Sequence, residues 1–156
     1  MPASKAQPKV QARKRILLVD DHALLRRGLR SLIETEPDLV VCAEADTRQG
    51  GLDAIAASQP DLVIADIRLR DSDGLQMIKD IKRRFPRLPV LALSMHEEAT
   101  FAERALRAGA SGYVTKQELD DTVLTAIRRV LAGKRRNQRC ANLQRRRPVE
   151  DGRPPD

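Results

Sequence analysis

Tryptophan is absent from this chain of 156 residues, and one tyrosine and two phenylalanines make up its aromatic complement. A hydrophobic content of 41% is enough for a core, which must therefore be built from Leu, Val, Ile and Ala. The same scarcity removes the stacking platforms on which single-stranded nucleic acids are bound. The two cysteines, Cys42 and Cys140, show no CxxC or metal-ligand spacing, and Cys42 falls in an apolar, strand-like run as a small core residue. No run approaches the ~20 apolar residues of a bilayer span. The N-terminal "MPASKAQPKVQARKR" lacks the apolar centre of a secretory signal. These absences point to a soluble, cytoplasmic protein with no membrane partner.

Basic charge, by contrast, is plentiful and unevenly spread. The net charge is +7, yet residues 1–15 contribute +5 and residues 133–156 another +5, which leaves −3 for residues 16–132. The tails are basic and the middle is mildly acidic. Residues 1–14 read as a disordered basic arm, 15–133 as one domain, and 134–156 as a disordered basic tail with almost no apolar residues.

Within the domain, apolar runs alternate with amphipathic stretches. "RILLVDD" (15–21) is a strand ending in two acids, and "HALLRRGLRSLIETEP" (22–37) is a helix broken at Pro37. "DLVVCAEA" (38–45) is a strand, and "TRQGGLDAIAASQP" (47–60) a helix weakened by Gly50 and Gly51. "DLVIAD" (61–66) is a third strand, and "GLQMIKDIKRRFP" (74–86) a helix closed by Pro86. "LPVLALSMH" (88–96) is a strand, and residues 97–110 form a helix with Gly109 as its cap. "SGYVTK" (111–116) is a short strand, and 118–133 the last helix, ending at Gly133. Five β-α units in about 120 residues predict an α/β fold, a parallel sheet covered on both faces with right-handed crossovers. Such a sheet binds ligands beyond the carboxyl ends of its strands.

The residues at those ends carry the chemistry. The first strand delivers Asp20 and Asp21, the third Asp66, the fourth Ser94 and the fifth Lys116; Glu44 and Asp46, after the second, are left out of the set. Three clustered carboxylates repel one another at neutral pH unless a cation neutralises them. Hard oxygen donors suit Mg²⁺, which favours phosphate chemistry. Lys116 offers a point charge for a phosphoryl oxygen and Ser94 a hydrogen bond to the same group. Asp66 can act as a nucleophile and become an aspartyl phosphate.

This pattern resembles the receiver domain of two-component response regulators over about residues 15–133. The resemblance implies the flavodoxin-like doubly wound sheet of order 2-1-3-4-5. It makes Asp66 the phosphoacceptor and Lys116 the phosphate-binding lysine. Asp20, Asp21, Asp66 and the backbone carbonyl of Arg68 become the Mg²⁺ site. Ser94 becomes the switch hydroxyl and Tyr113, which could also be plain core, the switch aromatic. "DDHALLRRGLRSLIE" and "HEEATFAERALRAGASGYVTK" resemble the NarL/LuxR-type branch, whose receivers precede a DNA-binding helix-turn-helix domain. The implied partner is a sensor histidine kinase, the implied output transcription regulation, and dimerisation on phosphorylation is expected.

Several positions depart from the family's pattern. Arg70 stands four residues after the acceptor, where proline is common, and Gln117 follows the lysine. Asp71 and Asp73 read as turn residues rather than ligands. His22 reads as the start of the first helix rather than a phosphodonor, and His96 as a loop residue near the site. The segment "KRRNQRCANLQRRRPVEDGRPPD" is too short and too polar for a helix-turn-helix, so DNA recognition by that module is not expected. Either the chain is a natural single-domain receiver, or a frameshift or early stop has replaced the output domain. Two other readings remain. One is a stand-alone phosphate-shuttling receiver. The other is a metal-dependent phosphohydrolase using an aspartyl phosphate, which the basic Arg68 two residues past the nucleophile disfavours. A binding role for the tails alone would be weak and salt-dependent.

Overall fold

In a computed structural model of the chain, residues 12–69, 72–94, 99–118 and 121–133 are described. Five strands, β1 (Lys14–Val19), β2 (Leu39–Ala45), β3 (Leu62–Asp66), β4 (Val90–Ser94) and β5 (Gly112–Thr115), form one parallel sheet in the order β2-β1-β3-β4-β5. This is the flavodoxin-like order. Helices α1 (Ala23–Ile33), α2 (Arg48–Ser58), α3 (Gly74–Arg84), α4 (Ala99–Ala108) and α5 (Asp121–Leu131) connect the strands or follow the last. The acidic loop after β3 adds an element the apolar pattern does not show, a two-residue antiparallel ladder of Arg68–Leu69 with Ser72–Asp73.

The strands lack an alternating polar face because both faces are covered. Alternate residues nevertheless divide between two cores. Leu17, Val19, Val63, Ala65, Val90, Ala92 and Tyr113 face the buried sides of α2, α3 and α4. Ile16, Leu18, Leu62, Ile64, Leu91, Leu93 and Val114 face α1 and α5 through Leu29, Ile33, Val123, Ile127 and Val130. Tyr113 is 3% exposed and packs with the first core, the one that holds Ala102, Ala105 and Ala108 of α4.

Element ends follow local hydrogen bonding. The helix expected over 22–37 stops at Ile33, where Glu34, Thr35 and Glu36 turn their N–H groups back onto Arg30, Leu32 and Ile33. Thr47 caps α2 by accepting from the Gly50 N–H at 2.9 Å. Gly109, at φ +117°, ends α4 in a conformation that favours glycine. The strand expected over 88–96 begins only at Val90, because Leu88 closes a turn onto the Phe85 carbonyl and Pro89 has no N–H to give. Cys42 is half-buried in β2, its thiol 3.7 Å from Ser58 Oγ.

The two-sided core makes a prediction about stability. Ile64→Ala, at 1% exposure in the central strand, is expected to lower unfolding free energy by about 2–5 kcal/mol in urea titrations. Leu24→Ala, at 79% exposure on α1, should change it by less than about 0.5 kcal/mol.

Candidate functional site

Because all five strands run in parallel, their carboxyl ends open on one side of the sheet. β1 ends at Val19 and is followed by Asp20, whose N–H donates to the Ala45 carbonyl at 3.0 Å. β3 ends on Asp66 itself, one register step from Ser94 at the end of β4, and β5 is followed directly by Lys116. Asp20, Asp66, Ser94 and Lys116 are all buried, against the usual distribution of such residues. The fold therefore brings together the strand-end residues that the sequence singles out.

The Lys116 ammonium holds the centre. Its Nζ donates to Asp66 Oδ2 at 2.9 Å and lies 3.1 Å from Asp20 Oδ2, with all three side chains at most 3% exposed. The ammonium also donates to Asp20 Oδ1 at 3.4 Å, so it is hydrogen-bonded to Asp20 through that oxygen and in ionic contact with Oδ2. Asp66 Oδ1 accepts from the Arg68 N–H at 3.0 Å. Burial pushes the Asp66 carboxyl above its usual range, and the neighbouring Asp20 charge adds to this. The Arg68 N–H and the Lys116 ammonium pull the other way without cancelling it.

Backbone positions fix these side chains. Arg26 on α1 donates through its guanidinium to the Asp20 carbonyl and, at 2.8 Å, to Glu44 Oε1, so the first acid is clamped from the helix. Glu44 thus serves Arg26 and Arg30, in keeping with its omission from the site. Behind Asp66, a Cβ built on Gly74 would lie 2.2 Å from the Asp66 carbonyl oxygen and 2.5 Å from Ile67 Cα. Only glycine lets α3 start against the end of β3 this closely, and its N–H donates to the Ile67 carbonyl at 3.1 Å.

His22 also belongs here, which its position at the start of α1 does not reveal. It precedes α1 without capping it through its side chain. Instead its N–H donates to Asp20 Oδ1 at 2.8 Å, and its Nδ1 lies 3.0 Å from that oxygen and 3.2 Å from Asp21 Oδ1. Ligand atoms of Asp20, Asp21, His22 and Asp66 all fall within 4.8 Å of one another. Three carboxylates against one ammonium leave two negative charges at neutral pH, and the donors are chiefly hard oxygens. That combination fits a divalent cation. Tyr113 is in the core beneath, and the Arg68 side chain is exposed. Arg70, Asp71 and His96, and the side chain of Asp73, lie outside the described residues.

Comparison with known proteins gives a consistent assignment. A family model for the response regulator receiver domain matches residues 16–128. The chain is 35% identical over 120 residues to the DNA-binding transcriptional activator DevR/DosR of Mycobacterium tuberculosis, covering 77% of this chain and 55% of that protein. It is 33% identical over 120 residues to the nitrate/nitrite response regulator protein NarL of Escherichia coli, covering 76% and 55%. The crystal structure of a LuxR-family two-component response regulator from Aurantimonas sp. SI85-9A1 superposes with a TM-score of 0.77 at 35% identity, covering 85% of this chain and 99% of that one. The chain spans about half the length of the curated relatives it matches.

The raised Asp66 midpoint gives a signed prediction. A carboxylate whose folded midpoint lies above its unfolded one holds its proton more tightly in the native state. Ionised at neutral pH, it therefore destabilises the fold. Asp66→Asn should raise the urea midpoint at pH 7, with Asp20 still paired to Lys116. The gain should shrink as pH falls into the ordinary carboxylate range, where Asp66 is itself protonated; an unchanged or lowered midpoint at pH 7 would contradict this.

Proposed function

The chain belongs to the response regulator receiver family, in its NarL/LuxR-type branch, and from that premise we propose that it is a phosphorylation-operated signalling module with Asp66 as the phosphoacceptor. The observation that carries this reading is the buried pairing of Asp66 with Lys116 at 2.9 Å, beside two further carboxylates at the strand ends. Such a constellation costs stability and has no structural task that a neutral, well-packed group would not perform better.

In the proposed transfer, an Asp66 carboxylate oxygen attacks the phosphorus of a phosphohistidine on a sensor kinase. The P–O bond forms as the P–N bond breaks, and the imidazole departs with the electron pair. Asp20, Asp21 and Asp66 would hold Mg²⁺, with the Arg68 carbonyl as a further oxygen. A bound dication supplies charge neutralisation between the incoming phosphoryl group and the carboxylates. Lys116 holds its ammonium against the oxygens where negative charge accumulates, in a buried site where that charge acts strongly. Ser94, fixed at the end of β4, has its hydroxyl within one register step of the acceptor.

Phosphorylation adds charge and acceptor oxygens at the floor of this pocket. Lys116 and Ser94 would turn toward the new oxygens, and Tyr113 would follow by repacking between β5 and α4. The signal is then a population shift of that face, requiring a few kcal/mol of differential stabilisation. Transcription control is the proposed output, as the name of the transcriptional activator DevR/DosR suggests, through a phosphorylation-dependent homodimer or a separate partner. A phosphohydrolase role is less well supported, since the residue two past the acceptor is an exposed arginine. Hydrolysis of the aspartyl phosphate would be slow and serve as a timer. Among the described residues no helix is long and apolar enough to cross a membrane.

Incubation with acetyl phosphate and Mg²⁺ followed by intact mass tests the assignment. Wild type should gain one phosphoryl group, and both Asp66→Asn and omission of Mg²⁺ should abolish the gain. Retained phosphorylation in Asp66→Asn would place the acceptor elsewhere.

A further inference from the structure

The phosphoacceptor chemistry leaves the His22 imidazole without a task, although its Nδ1 faces the acid pocket. Nδ1 is 3.0 Å from Asp20 Oδ1, 3.2 Å from Asp21 Oδ1 and 3.9 Å from Asp66 Oδ2. A six-coordinate shell with bonds of ~2.1 Å places adjacent donors about 3.0 Å apart and opposite donors about 4.2 Å apart. His22 and the acid pair thus have the spacing of adjacent donors on one ion, and Asp66 lies nearer the opposite position.

The placement is built rather than incidental. The His22 N–H is fixed by Asp20 Oδ1, and the Asp20 carbonyl is fixed in turn by Arg26. The imidazole is 57% exposed, so it spends no apolar surface on the core. It also forgoes the side-chain capping bond that Ser, Thr, Asp or Asn would offer at this position. Lys116 Nζ, 3.1 Å from the same Nδ1, is the competing cation, and it leans on Asp66 Oδ2 and Asp20 Oδ2. Asp20 Oδ1 accepts from both the His22 N–H at 2.8 Å and the Lys116 ammonium at 3.4 Å, so a dication here would compete with Lys116 for that oxygen.

We propose that His22 is the fourth side-chain donor, through nitrogen, to the dication held by Asp20, Asp21 and Asp66, and that it gives this pocket an affinity for borderline transition-metal ions that an all-oxygen pocket lacks. The inference rests on reading the acid cluster as a dication site. Carboxylate and water suit Mg²⁺ and Mn²⁺, whereas imidazole adds a donor favoured by Zn²⁺ and Ni²⁺. The bound ion would then depend on metal supply as well as on the acidic residues.

Direct metal binding tests this on the full chain, using wild type and His22→Ala; the exposed, non-capping side chain makes loss of fold unexpected in the variant. Calorimetric titration with Zn²⁺ should show the variant weaker by about tenfold or more, while Mg²⁺ affinity changes less than twofold. With Mn²⁺ bound, pulsed EPR should detect a directly coordinated nitrogen in wild type and lose it in His22→Ala. Mg²⁺ binding with equal Zn²⁺ affinity in both proteins, or no nitrogen coupling in wild type, would overturn the role of His22 and leave the dication site standing. A parallel fall in Mg²⁺ affinity would mean that His22 only shapes the acid pair. Absence of any Mg²⁺ binding in wild type would remove the site itself.

Discussion

A single buried ammonium sets the terms for the rest of this molecule. Lys116 lies between Asp20 and Asp66 at the carboxyl ends of β5, β1 and β3, and all three side chains are almost wholly removed from water. Burying charges is costly, and the attraction between them offsets that cost only when geometry is held closely. The surrounding fold supplies that geometry. Parallel strands put the three residues on one side, Arg26 fixes the Asp20 backbone, and Gly74 lets α3 begin against the carbonyl of Asp66. Even so, burial raises the Asp66 carboxyl, with the Asp20 charge adding to it, and three clustered acids beside one lysine fit a dication.

Under the proposed function, the same arrangement would let a local charge be read at a distance. Ser94 and Lys116 end two neighbouring strands, and Tyr113 lies three residues before Lys116 in the core under α4. Groups that would meet a phosphoryl oxygen are thus continuous, through β4 and β5, with the packing of α4. α4 presents the small Ala102, Ala105 and Ala108 to this core, with Phe101 half-buried against it. Under the proposed function, a small shift at the strand ends would be passed to this face.

Much of this was legible in the residues. Apolar runs such as "LVIA" before Asp66 and "VLAL" before Ser94 announce strands buried on both faces, and their terminal polar residues mark the ligand side. Asp20, Asp66, Ser94 and Lys116 could be chosen because a parallel sheet makes strand ends neighbours. What stayed hidden depends on side-chain direction and backbone approach. His22 follows the acid pair in either case, and only the backbone turn from Asp20 into α1 shows that Nδ1 faces the carboxylates. Arg26 is one arginine among several on α1, and its task follows from the Asp20 carbonyl lying above it. Gly74 reads as a turn glycine, whereas its requirement is steric, set by Asp66 and Ile67. The Arg68–Leu69 ladder with Ser72–Asp73 is too short to leave a periodic signal.

The account turns on Lys116 and Asp66 acting as one unit, and a double-mutant cycle measures this directly. Unfolding free energies of Lys116→Met, Asp66→Asn and the double variant would be compared with wild type at neutral pH without added metal. Strong non-additivity is expected, with Lys116→Met far more damaging when Asp66 is present than when Asn replaces it, and a coupling of at least about 1 kcal/mol. Additive effects, agreeing within about 0.5 kcal/mol, would mean that the ammonium does not hold the Asp66 carboxylate, and would contradict the site as described.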